Sequence, residues 1–177
     1  MILIITGPSG VGKNTIIDAL SKKLNFNFSV SHTTRPKRVS EISGKDYYFI
    51  TDEEFQSMIN NNELVEFEEY GGFIYGTSRK ELDQDGLVIL DLEVNGATKL
   101  LNNNPDFIGL FIDINDEELI NRLKNRGHNT DFINRRMDLA SKQRKYKDIF
   151  DYKIENVDIN TSVNQIIDII YKLEDRW

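Results

Sequence analysis

The chain has 177 residues and a formal net charge of −7, from 22 basic and 29 acidic side chains, with no cysteine and two histidines. This length fits one domain with an insertion and suffices for a sizeable core. The acidic balance argues against nucleic acid as the main partner, because a protein that binds polyanions needs a broad basic face. The composition also excludes disulfides and thiolate metal sites, argues against a histidine-rich metal site, and suits a reducing, cytoplasmic location. No apolar run approaches membrane-spanning length, so we expect no membrane partner.

The chain begins with an apolar strand, a glycine-rich turn and an amphipathic helix. Residues 2–5 predict the strand, residues 16–24 the helix, and the turn is Gly7-Pro8-Ser9-Gly10-Val11-Gly12-Lys13-Asn14-Thr15. Glycines let the backbone curl with its N–H groups pointing inward, and the helix N-terminus adds partial positive charge. Lys13 adds a full charge for the outer phosphates, so the segment predicts a polyphosphate socket. Asn14 stands where Ser or Thr usually follows this lysine, which weakens the case for a hydroxyl contact with Mg²⁺ at that place.

Beyond this turn, strands and helices alternate, which predicts a parallel sheet with crossover helices. Residues 87–90 and 107–112 predict buried strands. Residues 116–124 and 161–173 predict helices whose N-caps are Asp116 and Thr161. Between residues 31 and 77 aromatic side chains crowd around a Gly-Gly turn, which predicts an antiparallel insertion with one short helix over 52–60.

Two basic clusters are candidate anion ligands. In Ser31-His32-Thr33-Thr34-Arg35-Pro36-Lys37-Arg38, two arginines three positions apart offer planar forks that suit a dianionic phosphate. In the second cluster, Arg122 and Arg126 share one helical face and Arg136 comes from the next helix, an arrangement able to hold charge on a phosphoryl group in transfer. Taken alone, the first cluster is equally a solvated basic loop, and the second is more often a charged helical hairpin with surface ion pairs.

Two carboxylates stand in apolar strands. Glu66 lies within residues 64–70, where a carboxylate is costly unless it meets donors. A guanine edge offers two donors, its N1–H and its exocyclic amine, whereas adenine presents an acceptor at N1. The alternative, to which we give equal weight, is that the Glu66 carboxylate faces water. Asp91 ends the strand that begins at residue 87, where P-loop enzymes place a carboxylate beside the phosphates and Mg²⁺, although this signal is weak alone.

The order of these segments resembles the guanylate kinase family. The P-loop is followed by Ser31-x-Thr33-Thr34-Arg35-Pro36, by Gly44-Lys45-Asp46-Tyr47-Tyr48-Phe49, by Tyr75-Gly76-Thr77-Ser78, by Asp91 and by Arg122-x₃-Arg126-Gly127. The resemblance runs from about residue 2 to residue 156. It implies an α/β fold, in which a P-loop NTPase core with a parallel sheet carries an inserted mixed α+β GMP-binding subdomain and a helical lid. The implied single domain has its core at 1–31, 79–126 and 141–177, its insertion at 32–78 and its lid at about 127–140.

The resemblance implies a Mg²⁺-dependent transfer of the ATP γ-phosphoryl group to GMP, so the partners are these two small molecules. The implied ATP ligands are Gly7, Pro8, Ser9, Gly10, Val11, Gly12, Lys13, Asn14, Thr15 and Asn156. The implied GMP ligands are Ser31, Arg35, Arg38, Tyr47, Glu66, Tyr75, Thr77, Asp91 and Glu93. The implied catalytic residues are Lys13, Arg122, Arg126 and Arg136. Thr15 and Asp91 are the implied contacts to Mg²⁺, directly or through water.

Three positions depart from the family pattern: Glu93 stands where Asp is usual, Asn95 where Gln is usual and Phe67 where Trp is usual. None of them removes a phosphate ligand or a charge. Two other functions stay open. One is a non-catalytic guanylate-kinase-like interaction module, a class that has usually lost P-loop or lid arginines. The other is a P-loop kinase for another small phosphate acceptor, against which Tyr75-Gly76-Thr77 and Glu66 argue. Monomer and homodimer both stay open.

Overall fold

The computed structural model describes residues 1–174, which contain nine strands and seven α-helices. The strands are β1 (Ile2–Thr6), β2 (Asn27–Phe28), β3 (His32–Thr33), β4 (Tyr48–Phe49), β5 (Leu64–Tyr70), β6 (Phe73–Ser78), β7 (Val88–Asp91), β8 (Ile108–Asp113) and β9 (Tyr152–Glu155). The helices are α1 (Lys13–Leu20), α2 (Asp52–Asn60), α3 (Arg79–Leu82), α4 (Val94–Asn103), α5 (Asp116–Asn125), α6 (Thr130–Arg144) and α7 (Ile159–Glu174). The end of the predicted core segment 141–177 lies outside the described residues.

Five strands form a parallel sheet in the order β2-β7-β1-β8-β9. The central strand β1 pairs with β7 in a register that sets Ile5 beside Asp91. Because the carboxyl ends of parallel strands meet at one edge of a sheet, the glycine turn after β1 and the carboxylate that ends β7 come together there. This edge is where ligands bind in open α/β sheets.

Apolar side chains of the parallel sheet pack against helices on both faces. Leu3 and Ile5 of β1 belong to one buried cluster, with side chains from α1, α5 and α7. Ile4 belongs to the other cluster, with side chains from α4 and with Phe150. Successive strand residues point to opposite faces, so a strand covered on both sides reads as a nearly continuous apolar run, as Ile2–Ile5 of β1 does. The α/β fold class predicted from the sequence is therefore confirmed. Among the helices of residues 1–174, none combines the length and the apolar character that a bilayer crossing requires.

The other four strands form a separate sheet in the order β4-β3-β6-β5. Strands β5 and β6 form an antiparallel hairpin through the predicted turn at Gly71 and Gly72, which both have positive φ. Strand β3 pairs antiparallel with β6 but parallel with β4, so the expectation of a wholly antiparallel insertion is wrong. The chain between β3 and β4 is long enough to return to the same end of the sheet, which a parallel pair requires.

Helix boundaries differ from the sequence prediction in α1, which was predicted over 16–24 and covers Lys13–Leu20, and at the caps of other helices. Helix α2 covers the predicted residues, and its N-cap Thr51 forms a capping box with Glu54. Helix α5 is capped by Asn115 rather than by Asp116, since the Asn115 side chain accepts from the Glu118 N–H. Helix α7 begins before Thr161, whose N–H and hydroxyl both donate to the Asp158 carboxylate at 2.8 Å. In both helices the short polar side chain nearer the N-terminus satisfies the free N–H groups.

Candidate active site

A cavity of about 860 Å³ lies between the carboxyl edge of the parallel sheet and the four-stranded sheet. The predicted site residues that line it are Ser9, Gly10, Gly12, Lys13, Asn14, Thr15, Ser31, Arg35, Arg38, Tyr47, Glu66, Tyr75, Asp91, Glu93, Arg126 and Arg136. The predicted site residues that do not line it are Gly7, Pro8, Val11, Thr77, Arg122 and Asn156. The structure thus brings most of the predicted phosphate and base ligands to one cavity.

The glycine turn has a backbone that only glycine allows at two critical points. Gly7 has a φ of 141°, and a Cβ there would lie 1.9 Å from the Ile112 carbonyl oxygen. Gly12 has a φ of 101°, and its Cβ would lie 2.6 Å from Nδ2 of Asn156. Helix α1 starts at Lys13, directly after Gly12, so its first N–H groups have no partner within the helix. These N–H groups and the helix dipole make the turn suitable for an anion.

Lys13 and Asp91 form a loose pair at the mouth of the turn. The Lys13 ammonium donates to the Gly7 carbonyl at 2.9 Å and lies 3.9 Å from Oδ1 of Asp91. Burial raises the pKa of Asp91, and the Lys13 charge opposes that rise. Because a 3.9 Å separation is longer than a charge-assisted hydrogen bond, the ammonium is free to turn towards an incoming phosphate.

Arg122 and Asn156 brace the glycine turn from behind. The Arg122 guanidinium donates to the carbonyls of Val11 at 3.0 Å and Asn156 at 2.8 Å, and to Oε1 of Glu118 at 3.0 Å. Asn156 is fully buried, and its Nδ2 donates to the same Val11 carbonyl at 2.7 Å. The family resemblance implied a catalytic role for Arg122 and ATP binding for Asn156. Here both side chains are engaged with the turn itself, which favours a positioning role.

Arg35 and Arg38 lie on the loop between β3 and β4, together with a carboxylate that the sequence analysis missed. Glu41 accepts from both terminal nitrogens of Arg35, at 2.7 and 3.1 Å, and from the Arg38 N–H at 2.7 Å. It is the only acidic residue between positions 35 and 45, and that isolation within a basic stretch is the signal that would have found it. The loop is therefore fixed in shape by its own ion pair, with Arg35 at the cavity wall.

Aromatic rings complete the surroundings of Arg35. Its guanidinium carbon lies 5.4 Å from the Tyr47 ring centroid, and the rings of Tyr47 and Tyr75 are 5.8 Å apart. Burial, with a further contribution from the Asp91 carboxylate, raises the pKa of Tyr47 to about 12. The Tyr47 hydroxyl therefore keeps its proton at neutral pH and can donate to a phosphate oxygen.

Glu66 projects from β5 into the same cavity. The Thr77 hydroxyl, which is fully buried, donates to Oε1 of Glu66 at 2.7 Å. Burial raises the pKa of Glu66, the Thr77 hydrogen bond opposes that rise, and the nearby Glu68 carboxylate adds to it. One carboxylate oxygen is thus fixed by Thr77, and the other is available to a donor in the cavity.

Two arginines reach the cavity from the chain after α5. Arg126 follows the last residue of α5, and Arg136 lies within α6. The Arg136 guanidinium donates to the Tyr70 hydroxyl of β5 and lies 4.9 Å from the Phe132 ring centroid. Arg136 therefore connects α6 to the four-stranded sheet across the cavity.

Glu93 forms a hydrogen bond to a side chain of α6. Its Oε2 accepts from Nε2 of Gln143 at 3.0 Å, while Arg35 has Glu41 as its carboxylate partner. Burial raises the pKa of Glu93, and the Lys13 charge opposes that rise. The longer side chain at position 93 therefore connects the core to the helix that carries Arg136.

Comparison with known proteins identifies this combination of elements. The family model for guanylate kinase matches residues 1–173. The chain belongs to the guanylate kinase family. It is 37% identical to a guanylate kinase of Mycoplasmoides gallisepticum, over 97% of this chain and 92% of that protein. It is 39% identical to a guanylate kinase of Bacillus subtilis, over 96% of this chain and 87% of that protein.

Solved structures agree with this family assignment. A guanylate kinase from Anaplasma phagocytophilum superposes with a TM-score of 0.79 and 30% identity, over 97% of this chain and 85% of that one. A shikimate kinase from Bacteroides thetaiotaomicron gives a TM-score of 0.57 at 17% identity, a likeness of fold alone. The guanylate kinase family predicted from the order of the sequence motifs is confirmed.

Proposed function

We propose that this member of the guanylate kinase family transfers the γ-phosphoryl group of ATP to GMP, giving ADP and GDP. One observation carries the proposal: a single cavity joins a phosphate-binding glycine turn and Lys13 to the paired arginines 35 and 38 and to the carboxylate of Glu66. Protein groups suited to bind two phosphorylated molecules and a guanine edge therefore face one cavity. The relatives named guanylate kinase, at 37% and 39% identity, support the same reaction.

The acceptor would lie along the four-stranded sheet. Glu66 would accept from N1–H and from the exocyclic amine of guanine, one at each carboxylate oxygen, while the Thr77 hydroxyl also donates to Oε1. Ser31 would also contact the base. Arg35, Arg38, Tyr47 and Tyr75 would bind the GMP phosphate, because guanidinium forks and phenol hydroxyls match its oxygens.

The donor would lie at the glycine turn. Its backbone N–H groups would hold the ATP phosphates, and Lys13 would follow the transferring group. A GMP phosphate oxygen would form the new bond to the γ-phosphorus while the bond to ADP breaks, so no side chain acts as nucleophile or base. Arg126 and Arg136 would stabilise the charge in transfer. Arg122 and Asn156 would keep the turn in shape through the Val11 carbonyl.

Mg²⁺ is the cofactor that we propose, bound with ATP. The Asp91 carboxylate and the Thr15 hydroxyl line the same cavity and are hard oxygen donors, the ligand type that Mg²⁺ prefers. Within residues 1–174 no group of three or more acidic or histidine side chains would hold an ion by itself. Phosphate oxygens and water would therefore complete the coordination. The bound ion would neutralise charge on the β- and γ-phosphates.

We also propose the division into a core, an insertion at 32–78 and a lid at about 127–140. All four strands of the second sheet lie within the proposed insertion, and Arg136 lies within the proposed lid. Closure of both over bound nucleotides would exclude water, which otherwise competes as a phosphoryl acceptor. The absence of cysteine suits the reducing cytoplasm that we propose as the location.

A panel of acceptors tests this function. We expect kcat/KM for GMP to exceed that for AMP by roughly 10³-fold or more, because AMP would set an acceptor against the Glu66 carboxylate. Glu66→Gln should weaken GMP use strongly and narrow the ratio, since an amide also donates to adenine N1. The measurement is kcat/KM for GMP, dGMP, AMP, CMP and UMP with both proteins. A wild type that prefers another acceptor, or a variant that keeps the full guanine preference, would contradict the proposal.

A further inference from the structure

The C-terminal end of α6 carries a cluster of charged side chains that has no role in the reaction described above. Arg144, the last residue of this helix, donates from Nε to both carboxylate oxygens of Asp113, at 2.9 and 3.2 Å. Its other two nitrogens donate to the Asp116 carboxylate and to the Ile114 carbonyl, the latter at 2.7 Å. Lys147, just after the helix, donates to Asp113 at 3.1 Å. One guanidinium therefore meets three acceptor groups, all at the junction of β8 and α5.

This junction belongs to the core of the parallel sheet. Asp113 is the last residue of β8, which pairs with the central strand β1, and its side chain is only 9% exposed. The glycine turn follows β1 at the same edge of the sheet. A planar guanidinium that is bound through all three nitrogens is fixed in direction as well as in position. Arg144 therefore connects the end of α6 to the edge that holds the proposed donor phosphates.

Apolar packing holds α6 through few side chains. Of its 15 residues only three are buried, Ile133, Ala140 and Gln143, and the last of these is polar. A helix with few buried apolar side chains depends more on its polar contacts to keep its direction. Gln143 adds one such contact to the core, through its hydrogen bond to Glu93 at 3.0 Å. The polar contacts of residues 143 and 144 therefore help to set the direction of the whole helix.

Arg136 lies on the same helix, about two turns and about 12 Å along its axis before Arg144. Over that length, a tilt of about 5° moves the earlier residue by about 1 Å. A misplacement of about 1 Å at a catalytic group can cost up to about 10²-fold in rate. The place of the Arg136 guanidinium in the cavity is therefore sensitive to the contacts that Arg144 makes.

We propose that Arg144 is a positioning residue for phosphoryl transfer, because its contacts at the junction of β8 and α5 fix the end of the helix that carries Arg136. The proposal rests on the proposed function, since it requires Arg136 to stabilise the charge in transfer. Arg144 itself does not line the cavity, so it would act through Arg136. Movement of the proposed lid would then be a rotation about the anchored residues 143 and 144.

A double-mutant cycle tests the inference. Arg144→Lys keeps a positive charge beside Asp113, but a flexible ammonium cannot reproduce the planar fork that meets three acceptor groups. We expect this variant to lower kcat about tenfold or more, while the Kd for GMP changes less than about twofold, because Arg136 acts late in the reaction. In an Arg136→Ala background the same change should lower kcat less than about twofold, since the group that Arg144 positions is already absent.

The measurements are steady-state turnover and titration calorimetry with GMP, with circular dichroism to verify the fold. Arg135→Lys is the matched control, because Arg135 is exposed on the same helix and loses the same fork. This control should keep kcat and the Kd for GMP near wild type. Asp113→Asn breaks the ion pair from the core side, keeps an oxygen for the Ile114 N–H and should lower kcat in the same way. If Arg144→Lys fails to fold, Asp113→Asn takes its place in the cycle.

An unchanged kcat in Arg144→Lys with a lowered Tm would assign the cluster a merely structural role and overturn the inference. An equal loss of kcat in the Arg136→Ala background would also overturn it, and so would a Kd for GMP that rises as much as kcat falls. Full kcat in Arg136→Ala alone, or wild type that fails to phosphorylate GMP, would instead contradict the proposed function, so the two failures are distinguishable.

Discussion

Lys13 holds its ammonium group above the glycine turn with one hydrogen bond, to Gly7, and one longer ion pair, to Asp91. Neither partner fixes all three of its N–H donors, so the charge remains available to a phosphate. We expect Lys13→Ala to lower kcat by at least about 10²-fold, the scale for one lost transition-state donor. The measurement is steady-state turnover of ATP and GMP, with circular dichroism to verify the fold.

Lys22→Ala provides the control for that experiment, because Lys22 is exposed just beyond the end of α1 and carries the same charge. This control should turn over as wild type does. Near-normal kcat in Lys13→Ala, with an unchanged spectrum, would remove Lys13 from the transfer step.

The sequence predicted the positions of some site residues but not the contacts of others. Motif order located Lys13, Arg35 and Glu66 in the cavity wall, because each belongs to a short segment whose geometry is local. Arg122 and Asn156 lie 34 positions apart and meet behind the turn through a main-chain carbonyl. Sequence patterns do not show which carbonyl a long side chain reaches. The contact of Arg122 and Asn156 with the glycine turn could therefore be found only in the structure.

At the scale of elements, α6 joins the core and the four-stranded sheet across the cavity. Gln143 donates to Glu93 of the core, and Arg136 donates to Tyr70 of β5. If this helix closes over bound nucleotides, Arg136 must exchange Tyr70 for a phosphate, an interaction made late in the reaction. We expect Arg136→Ala to lower kcat by about 10²-fold with little change in the Kd for GMP.

Arg135→Ala is the matched variant for the lid experiment, since it removes the same charge from an exposed position on the same helix. It should leave both kcat and GMP affinity near wild type. If Arg136→Ala weakened GMP binding and kept full kcat, the arginine would belong to the ground-state site and not to the transfer step.

The elements themselves were predictable to different degrees. Helix α2 and the strands β7 and β8 were located within a residue. The two strands are nearly continuous apolar runs because both of their faces are buried. The two-residue strands β2 and β4 carry too few side chains for any periodicity. The parallel pairing of β3 with β4 follows from the path of the intervening loop, which Glu41 fixes by pairing with Arg35. Strand pairing that depends on the path of a loop leaves no pattern in the local sequence.

At the scale of the whole molecule, an acidic protein concentrates both signs of charge in one cavity. The net charge is −7, yet six cationic side chains line the wall: Lys13, Arg35, Arg38, Lys45, Arg126 and Arg136. Three carboxylates there, Glu66, Asp91 and Glu93, have pKa values that burial raises. An ionised carboxylate with a raised pKa lowers the stability of the folded state, so this site is maintained at the expense of stability.

The Glu66→Gln variant allows the stability cost of the buried Glu66 carboxylate to be measured independently of catalysis. Because the folded-state pKa of Glu66 lies above its ordinary value, the free-energy penalty is complete above the raised pKa and absent below the unfolded pKa. The amide keeps an oxygen for the Thr77 hydroxyl and carries no charge. Near neutral pH we therefore expect Glu66→Gln to raise Tm, by roughly 2–4 °C if the relief is about 1 kcal/mol. The advantage should fade as pH falls through the raised pKa, because wild type then protonates its own carboxyl group.

Thermal unfolding of wild type, Glu66→Gln and Glu69→Gln between about pH 4 and pH 8 distinguishes burial from a general charge effect. Glu69 is exposed on the same strand, so its amide variant removes one negative charge without relieving a buried one. A Tm gain that is equal in both variants would arise from the net charge of −7 alone. A gain confined to Glu66→Gln and lost at low pH would locate the cost at the base site, where a bound guanine edge would offset it by donating to the same carboxylate.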